Sequence, residues 1–206
     1  MPKPTFLHLS KDKQDTLLQA AKKEFSRVPL HEASIANIIK CAGIPRGSFY
    51  QYFEGKEDLY FYMLNQFSKK NNERFMAILK EREGNLFDTF IESFRYMAKN
   101  QMSQENQNFF KHAFLNMNYK LENTLANHVY EENQKNQYQQ MISSINQEQL
   151  NIHDEKELHQ VIKIIMAVTF QNLVQMFVKE LTDEEATKTY ILQLELLKRG
   201  LLKEEQ

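Results

Sequence analysis

Residues 43–59 read GIPRGSFYQYFEGKEDL, and this stretch decides the fold. It carries three of the chain's five glycines and sets Phe49, Tyr50, Tyr52 and Phe53 around Gln51. Just upstream, Ser34 precedes Ile35, Ile38, Ile39 and Ala42, an apolar stripe at helical spacing, and serine is a good helix N-cap. Gly43 follows the last periodic residue, where a left-handed C′ position favours glycine, and Ile44 packs the turn. Pro45 opens the next helix, where its missing amide hydrogen costs nothing. Phe49 and Phe53, four apart, face inward to meet the isoleucine stripe. Helix, tight glycine turn, helix is the arrangement whose second helix enters a DNA major groove.

Removing the core positions leaves Arg46, Gly47, Ser48, Tyr50, Gln51 and Tyr52 on the outward face of that second helix. Arg46 can bond guanine O6 and N7 together, and Gln51 can do the same with adenine N6 and N7. Ser48 suits a base edge or a phosphate. Tyr50 offers a hydroxyl to phosphate and a ring face to a thymine methyl. Gly47 lets the helix start approach a backbone closely. Lys56 stands at the start of a further helix, where free amides and a positive dipole end favour phosphate.

Outward from this stretch the chain is helical. All four prolines lie at or before Pro45, and no Asn-Gly or Asp-Gly hairpin signal occurs. Apolar stripes at helical spacing recur at Leu17/Ala21/Phe25, Leu59/Met63/Phe67, Phe87/Ile91/Phe94, Phe110/Phe114/Met117, Leu121/Leu125/Val129 and Tyr190/Leu194/Leu197. The expectation is an all-α protein of about nine helices, at 11–28, 34–42, 45–52, 56–81, 86–101, 106–117, 121–146, 155–181 and 183–203. Gly84 separates two of them, and Thr182 with Glu185 forms a capping box at the start of the last.

Composition narrows the function. The 206 residues are 42% hydrophobic and 26% charged, enough apolar material for a core. The net charge of −1 conceals a balance of +4 over residues 1–56 and −5 over 57–206, the distribution of a DNA-binding head on another kind of body. The apolar stretch from Val161 to Leu181 is broken by Lys163, Gln171, Asn172, Gln175 and Lys179, so it reads as a buried helix rather than a membrane span. One cysteine, Cys41, suits a reducing cytoplasm, and its place under the second helix of the motif reads as core. No nucleophile elbow, phosphate loop or metal-ligand spacing occurs, so no catalytic, metal or cofactor residue is expected and the chain is not expected to be an enzyme.

The run ASIANIIKCAGIPRGSFYQYFEGKEDLY, residues 33–60, resembles the N-terminal domain of the tetracycline-repressor (TetR) family. The matching positions are Ala42, Gly43, Ile44, Gly47, Ser48, Phe49, Tyr50, Tyr52, Phe53, Lys56, Glu57 and Leu59, with Ala21 and Phe25 similar to the family's first helix. Pro45 stands where a serine or threonine is usual. The resemblance implies a DNA-binding domain at 1–56 and a ligand-binding and dimerisation domain at 57–206. It implies a homodimeric transcription regulator, usually a repressor, released from operator DNA by a small molecule. It also carries the DNA-contact role onto Ser34, Arg46, Gly47, Ser48, Tyr50, Gln51, Tyr52 and Lys56.

Within the body, Phe87, Phe90, Phe94, Met97, Phe110, Phe114 and Met117 either line a cavity for an apolar or amphipathic inducer or simply fill a core. Gln171 and Asn172 would hydrogen-bond at a dimer interface or meet the ligand's polar end. The last two helices would form a four-helix bundle with a second copy, through Val161, Ile165, Val168, Tyr190, Leu194 and Leu197, because the first of them is apolar on too many sides to face water alone. The alternative is a DNA-tethered protein that uses its body to hold a protein partner and has no inducer.

Overall fold

The computed structural model describes residues 1–100, 104–115 and 132–201. Among the described residues there are ten α-helices. They are α1 (Pro4–Leu7), α2 (Lys11–Arg27), α3 (Ile35–Ala42), α4 (Arg46–Tyr52), α5 (Lys56–Glu81), α6 (Leu86–Asn100), α7 (Gln104–Leu115), α8 (Glu132–Ser144), α9 (Glu155–Val178) and α10 (Asp183–Leu201). The all-α expectation holds, and the observed helix limits lie within three residues of the expected ones except at α8. There the expected helix over 121–146 begins outside the described residues. The helix that sequence periodicity missed is α1, whose four residues are too few to show a period.

The chain packs as two compact units. The first holds Met1–Lys70 and α7, and the second holds Asn71 onward apart from α7. The expected boundary at residue 56 therefore falls at the first residue of a continuous helix, α5, whose first fifteen residues belong with the head.

In the first unit, Leu17, Ala21 and Phe25 of α2 are buried, as is Ile38 of α3, with Phe49 and Phe53 completely enclosed. Phe25 meets Tyr60 edge-on at 5.0 Å, and Tyr60 meets Phe109 of α7 at 5.4 Å. Burial pushes the Tyr60 phenol far above its ordinary pKa. The second unit is centred on Phe94 of α6 and Tyr190 of α10, both fully buried and stacked at 4.2 Å. The Tyr190 hydroxyl is paired with Thr169 Oγ1 of α9 at 2.7 Å, so its burial leaves no orphan polar atom. Asn172, one turn along α9, donates to Gln193 Oε1 at 2.6 Å and pins the same helix pair.

The helix ends follow local chemistry. Thr182 and Glu185 form the expected capping box, with Glu185 N donating to Thr182 Oγ1 at 3.2 Å and Thr182 N donating to Glu185 Oε2 at 3.0 Å. These bonds to the carboxylate lower the pKa of Glu185. Asp154 caps α9 by accepting from Glu157 N at 2.8 Å. Gly84 adopts φ +80°, and an added Cβ would lie 2.6 Å from both Asn146 N and Ser144 O, so only glycine fits where the α5–α6 turn meets the end of α8.

Candidate nucleic-acid interface

The site is built on the α3–turn–α4 segment. Gly43 has φ +66°, and Ile44 N donates to Ile39 O at 3.1 Å, a Schellman closure that turns the chain sharply into α4. Pro45 is extended and takes the N-cap position of α4, one residue before the helical position expected for it. Phe49 and Phe53 are 0% exposed and anchor the helix from behind. On the other side, Arg46, Gly47, Tyr50 and Gln51 are exposed, while Ser48 and Tyr52 are half-buried. The Arg46 guanidinium lies 5.8 Å from the centre of the Tyr50 ring, a cation–π approach that gathers the two on one face. Tyr52 leans instead toward Phe6, at 6.2 Å between ring centres.

Two placements were not legible in the sequence. Glu24 of α2 is 5% exposed and acts as a hub. Its Oε1 accepts from Ser34 N at 2.8 Å, Asn37 Nδ2 at 3.1 Å and Arg27 Nη2 at 2.8 Å, and its Oε2 accepts from Arg27 Nε at 2.9 Å. The bond from Arg27 is the main cause holding its carboxyl below the ordinary pKa, against the opposing effect of burial. This carboxylate stands at the start of α3, where the dipole favours negative charge. Ser34 is the N-cap as expected, but its side chain makes no cap bond, because Glu24 does that work. A charged residue in an amphipathic helix looks like a solvated one until its partners, ten and thirteen residues away, are known.

The second is α1. Its Phe6 is 0% exposed and sits 4.8 Å from Phe53 and 5.5 Å from Tyr62, joining residues 3–7 to the end of α4. Lys56 is placed differently from its phosphate reading. Its Nζ donates to His31 O at 2.8 Å and Ala33 O at 2.9 Å, so two of its three N–H groups close the α2–α3 loop. Cys41 is exposed, which corrects its reading as a core residue.

In the second unit, several expected roles meet burial. Phe87, Phe90 and Phe94 are at most 7% exposed, and Met97 is half-buried. Phe110 belongs to the first unit, where it packs on Phe67 at 4.4 Å. The Phe114 side chain and Met117 lie outside the described residues. Gln171 is exposed, and Asn172 is committed to Gln193 within the protomer. Of the residues assigned to the dimer, Val161, Ile165, Tyr190 and Leu194 are at most 4% exposed within one protomer and offer no surface to a partner. Val168 and Leu197 are half-buried. The apolar side chains left at the surface of these helices are Ile164, Met166 and Phe170 on α9 and Leu192 and Leu196 on α10, 45–60% exposed. The physical reason is rotational: α9 is apolar nearly all round, so its sequence does not reveal which stripe α10 covers. By length and composition α9 could also cross a membrane, yet one face of it is packed on α10 through Thr169 and Asn172, as a core helix is.

These features agree with comparisons to known proteins. Residues 17–63 match the family model described as bacterial regulatory proteins, tetR family. Residues 85–201, more than half the chain, match the tetracyclin repressor-like C-terminal domain. An uncharacterized HTH-type transcriptional regulator of Bacillus subtilis, YdgC, is 35% identical over 72 residues, a match spanning 35% of this chain and 37% of that protein. A TetR-family transcriptional regulator of Streptomyces coelicolor has the same fold at TM-score 0.62 and 19% identity, over 93% of this chain and 84% of that one. NalD of Pseudomonas aeruginosa, the secondary repressor of the MexAB-OprM multidrug efflux pump, aligns at TM-score 0.60 and 14% identity, over 95% and 98% of the two chains. Head motif, helical body and both family models lead to one conclusion: the chain belongs to the TetR family of transcriptional regulators.

Proposed function

We propose that the protein is a homodimeric cytoplasmic repressor that binds palindromic operator DNA through the exposed face of α4 and is released by an amphipathic small molecule. The observation that carries the DNA half is the division of α4 into a fully buried Phe49/Phe53 side and an exposed side bearing Arg46, Gly47, Tyr50 and Gln51. Ser34 and Ser48 border that side and are suited to phosphate. Tyr52 and Lys56, already engaged by Phe6 and by the α2–α3 loop, serve the interface by holding it rather than as principal contacts. Dimerisation falls to the exposed α9 and α10 residues Ile164, Phe170, Leu192 and Leu196. Two heads on a two-fold axis then reach half-sites about one DNA turn, ~34–36 Å, apart.

The inducer half is supported by Ser93 and Arg74. On α6, Ser93 is 8% exposed and its hydroxyl has no partner among the described residues, whereas Thr89, one turn earlier, donates its own to Asn85 O at 2.6 Å. Phe90 and Tyr96, three residues to either side, meet Phe75 at 5.0 Å and Arg74 at 5.5 Å on α5. Arg74 Nε is likewise buried and, among the described residues, unpartnered. Unspent donors among aromatic rings suit a molecule with an oxygen-bearing head and an apolar body. The close packing of Phe87, Phe90 and Phe94 favours the second reading, a DNA-tethered protein with a protein partner and no inducer.

One titration separates these readings. Wild-type protein is mixed with the palindromic duplex it enriches from a randomised pool, and the complex is then challenged with dodecanoate at fixed ionic strength. Arg46→Ala and Tyr50→Ala should each weaken binding about 5- to 150-fold, the cost of ~1–3 kcal/mol per lost base contact. Unchanged affinity in both removes the assigned face. Release by dodecanoate supports the inducer, and indifference to it favours the second reading.

A further inference from the structure

We infer that the N-terminal arm, residues 3–6, is the C-terminal cap of α4 and sets the aim of its Tyr50 and Gln51 side chains. The inference rests on the reading of α4 as the DNA-facing helix. The last four carbonyls of a helix have no partner within it. A left-handed glycine often answers them, but α4 ends at Phe53, which is extended at φ −137°. Phe49 O accepts from Phe53 N at 2.9 Å. The other three are answered from the arm. Tyr50 O accepts from Lys3 Nζ at 3.0 Å, Gln51 O from the Thr5 hydroxyl, and Tyr52 O from Lys3 N at 2.8 Å. The Lys3 ammonium also brings positive charge to the negative end of the helix dipole.

The arm is itself fixed. Phe6 is enclosed among Phe53, Tyr62 and Tyr52, and Gln14 Nε2 donates to Phe6 O at 3.2 Å and Leu9 O at 3.1 Å. α4 is seven residues long, two turns, and a helix that short has no stability of its own. If its last turn frays, the side chains of Tyr50 and Gln51 lose their direction. Base-edge contacts demand that direction, while phosphate contacts tolerate its loss. Lys3 and Thr5 are therefore positioning residues for sequence discrimination, acting through the backbone of α4.

The experiment measures affinity for two duplexes, the palindrome enriched by wild-type protein and a scrambled duplex of equal length and composition, across a salt series. Thr5 is exposed, so Thr5→Val should fold. It should lower affinity for the palindrome about 2- to 10-fold, the scale of one lost hydrogen bond, and leave the scrambled duplex unaffected. The salt slope should stay unchanged, because no Lys or Arg contact to phosphate is removed. Thr5→Ser, which keeps the hydroxyl, should restore wild-type affinity, and Lys3→Met should reproduce the discrimination defect. Equal loss on both duplexes, no loss at all, or failure of Thr5→Ser to restore affinity overturns the inference. If Arg46→Ala and Tyr50→Ala weaken the palindrome while Thr5→Val does not, only the arm's role fails. If none of the three matters, the DNA-facing reading of α4 fails with it.

Discussion

Replacing Glu24 with glutamine preserves its size and removes its charge. Four hydrogen bonds converge on that carboxylate, two from Arg27 and one each from Ser34 N and Asn37 Nδ2. In the variant one oxygen becomes an NH₂ group, which confronts the Arg27 guanidinium instead of accepting from it. Arg27 is 55% exposed, so water compensates most of that loss, and the larger part comes from the charge-assisted bonds at the start of α3. A destabilisation of about 1–2 kcal/mol is expected at pH 7. For a chain of this size that lowers the unfolding midpoint by roughly 2–8 °C. The pH dependence gives a sharper check. Glu24 has a folded-state pKa below its usual 4.5, so the unfolded chain binds its proton first as the solution is acidified. The stability it contributes is fully present above about pH 4.5 and is lost as the pH falls through the lower folded value. The gap between wild type and Glu24→Gln should thus be constant near neutrality and shrink in acid. The chain has no tryptophan, so urea unfolding is followed by far-ultraviolet circular dichroism. A variant as stable as wild type at pH 7, or a gap that persists unchanged at pH 3, refutes the assignment of Glu24 as the hub between α2 and α3.

Two further outcomes follow from the second unit. Gly84→Ala should cost more than about 2 kcal/mol, since it combines a left-handed backbone with a Cβ 2.6 Å from two backbone atoms, and thermal unfolding measures it. Leu192→Glu together with Phe170→Glu should convert a dimer to a folded monomer in sedimentation-velocity runs, whereas Leu194→Glu, at a fully buried position, should unfold the unit; a dimer that survives the double change removes α9 and α10 as the interface.

The head was legible because its signals are local. A glycine after an isoleucine stripe, and two phenylalanines four apart, specify helix, turn and helix within twenty residues, and the structure places them accordingly. What escaped was set by long-range pairing. Lys3 and Thr5 find their acceptors 46 to 49 positions away in sequence, and nothing about a lysine beside two prolines announces a helix cap. Glu24 looked like any surface charge. The rotation of the last helices is likewise set by their neighbours: Tyr190 and Leu194 form the regular stripe of α10, and α6 and α9 bury that stripe within one protomer, leaving Leu192 and Leu196 on the opposite side.

Cys41, the lone cysteine, opens to solvent on α3. A maleimide dye would therefore attach at one place per chain, on the helix next to α4, and would report the separation of the two heads in a labelled pair. The same exposure means that air oxidation can join two copies covalently. Samples handled without reductant would then show linked species on a non-reducing gel that owe nothing to α9 and α10.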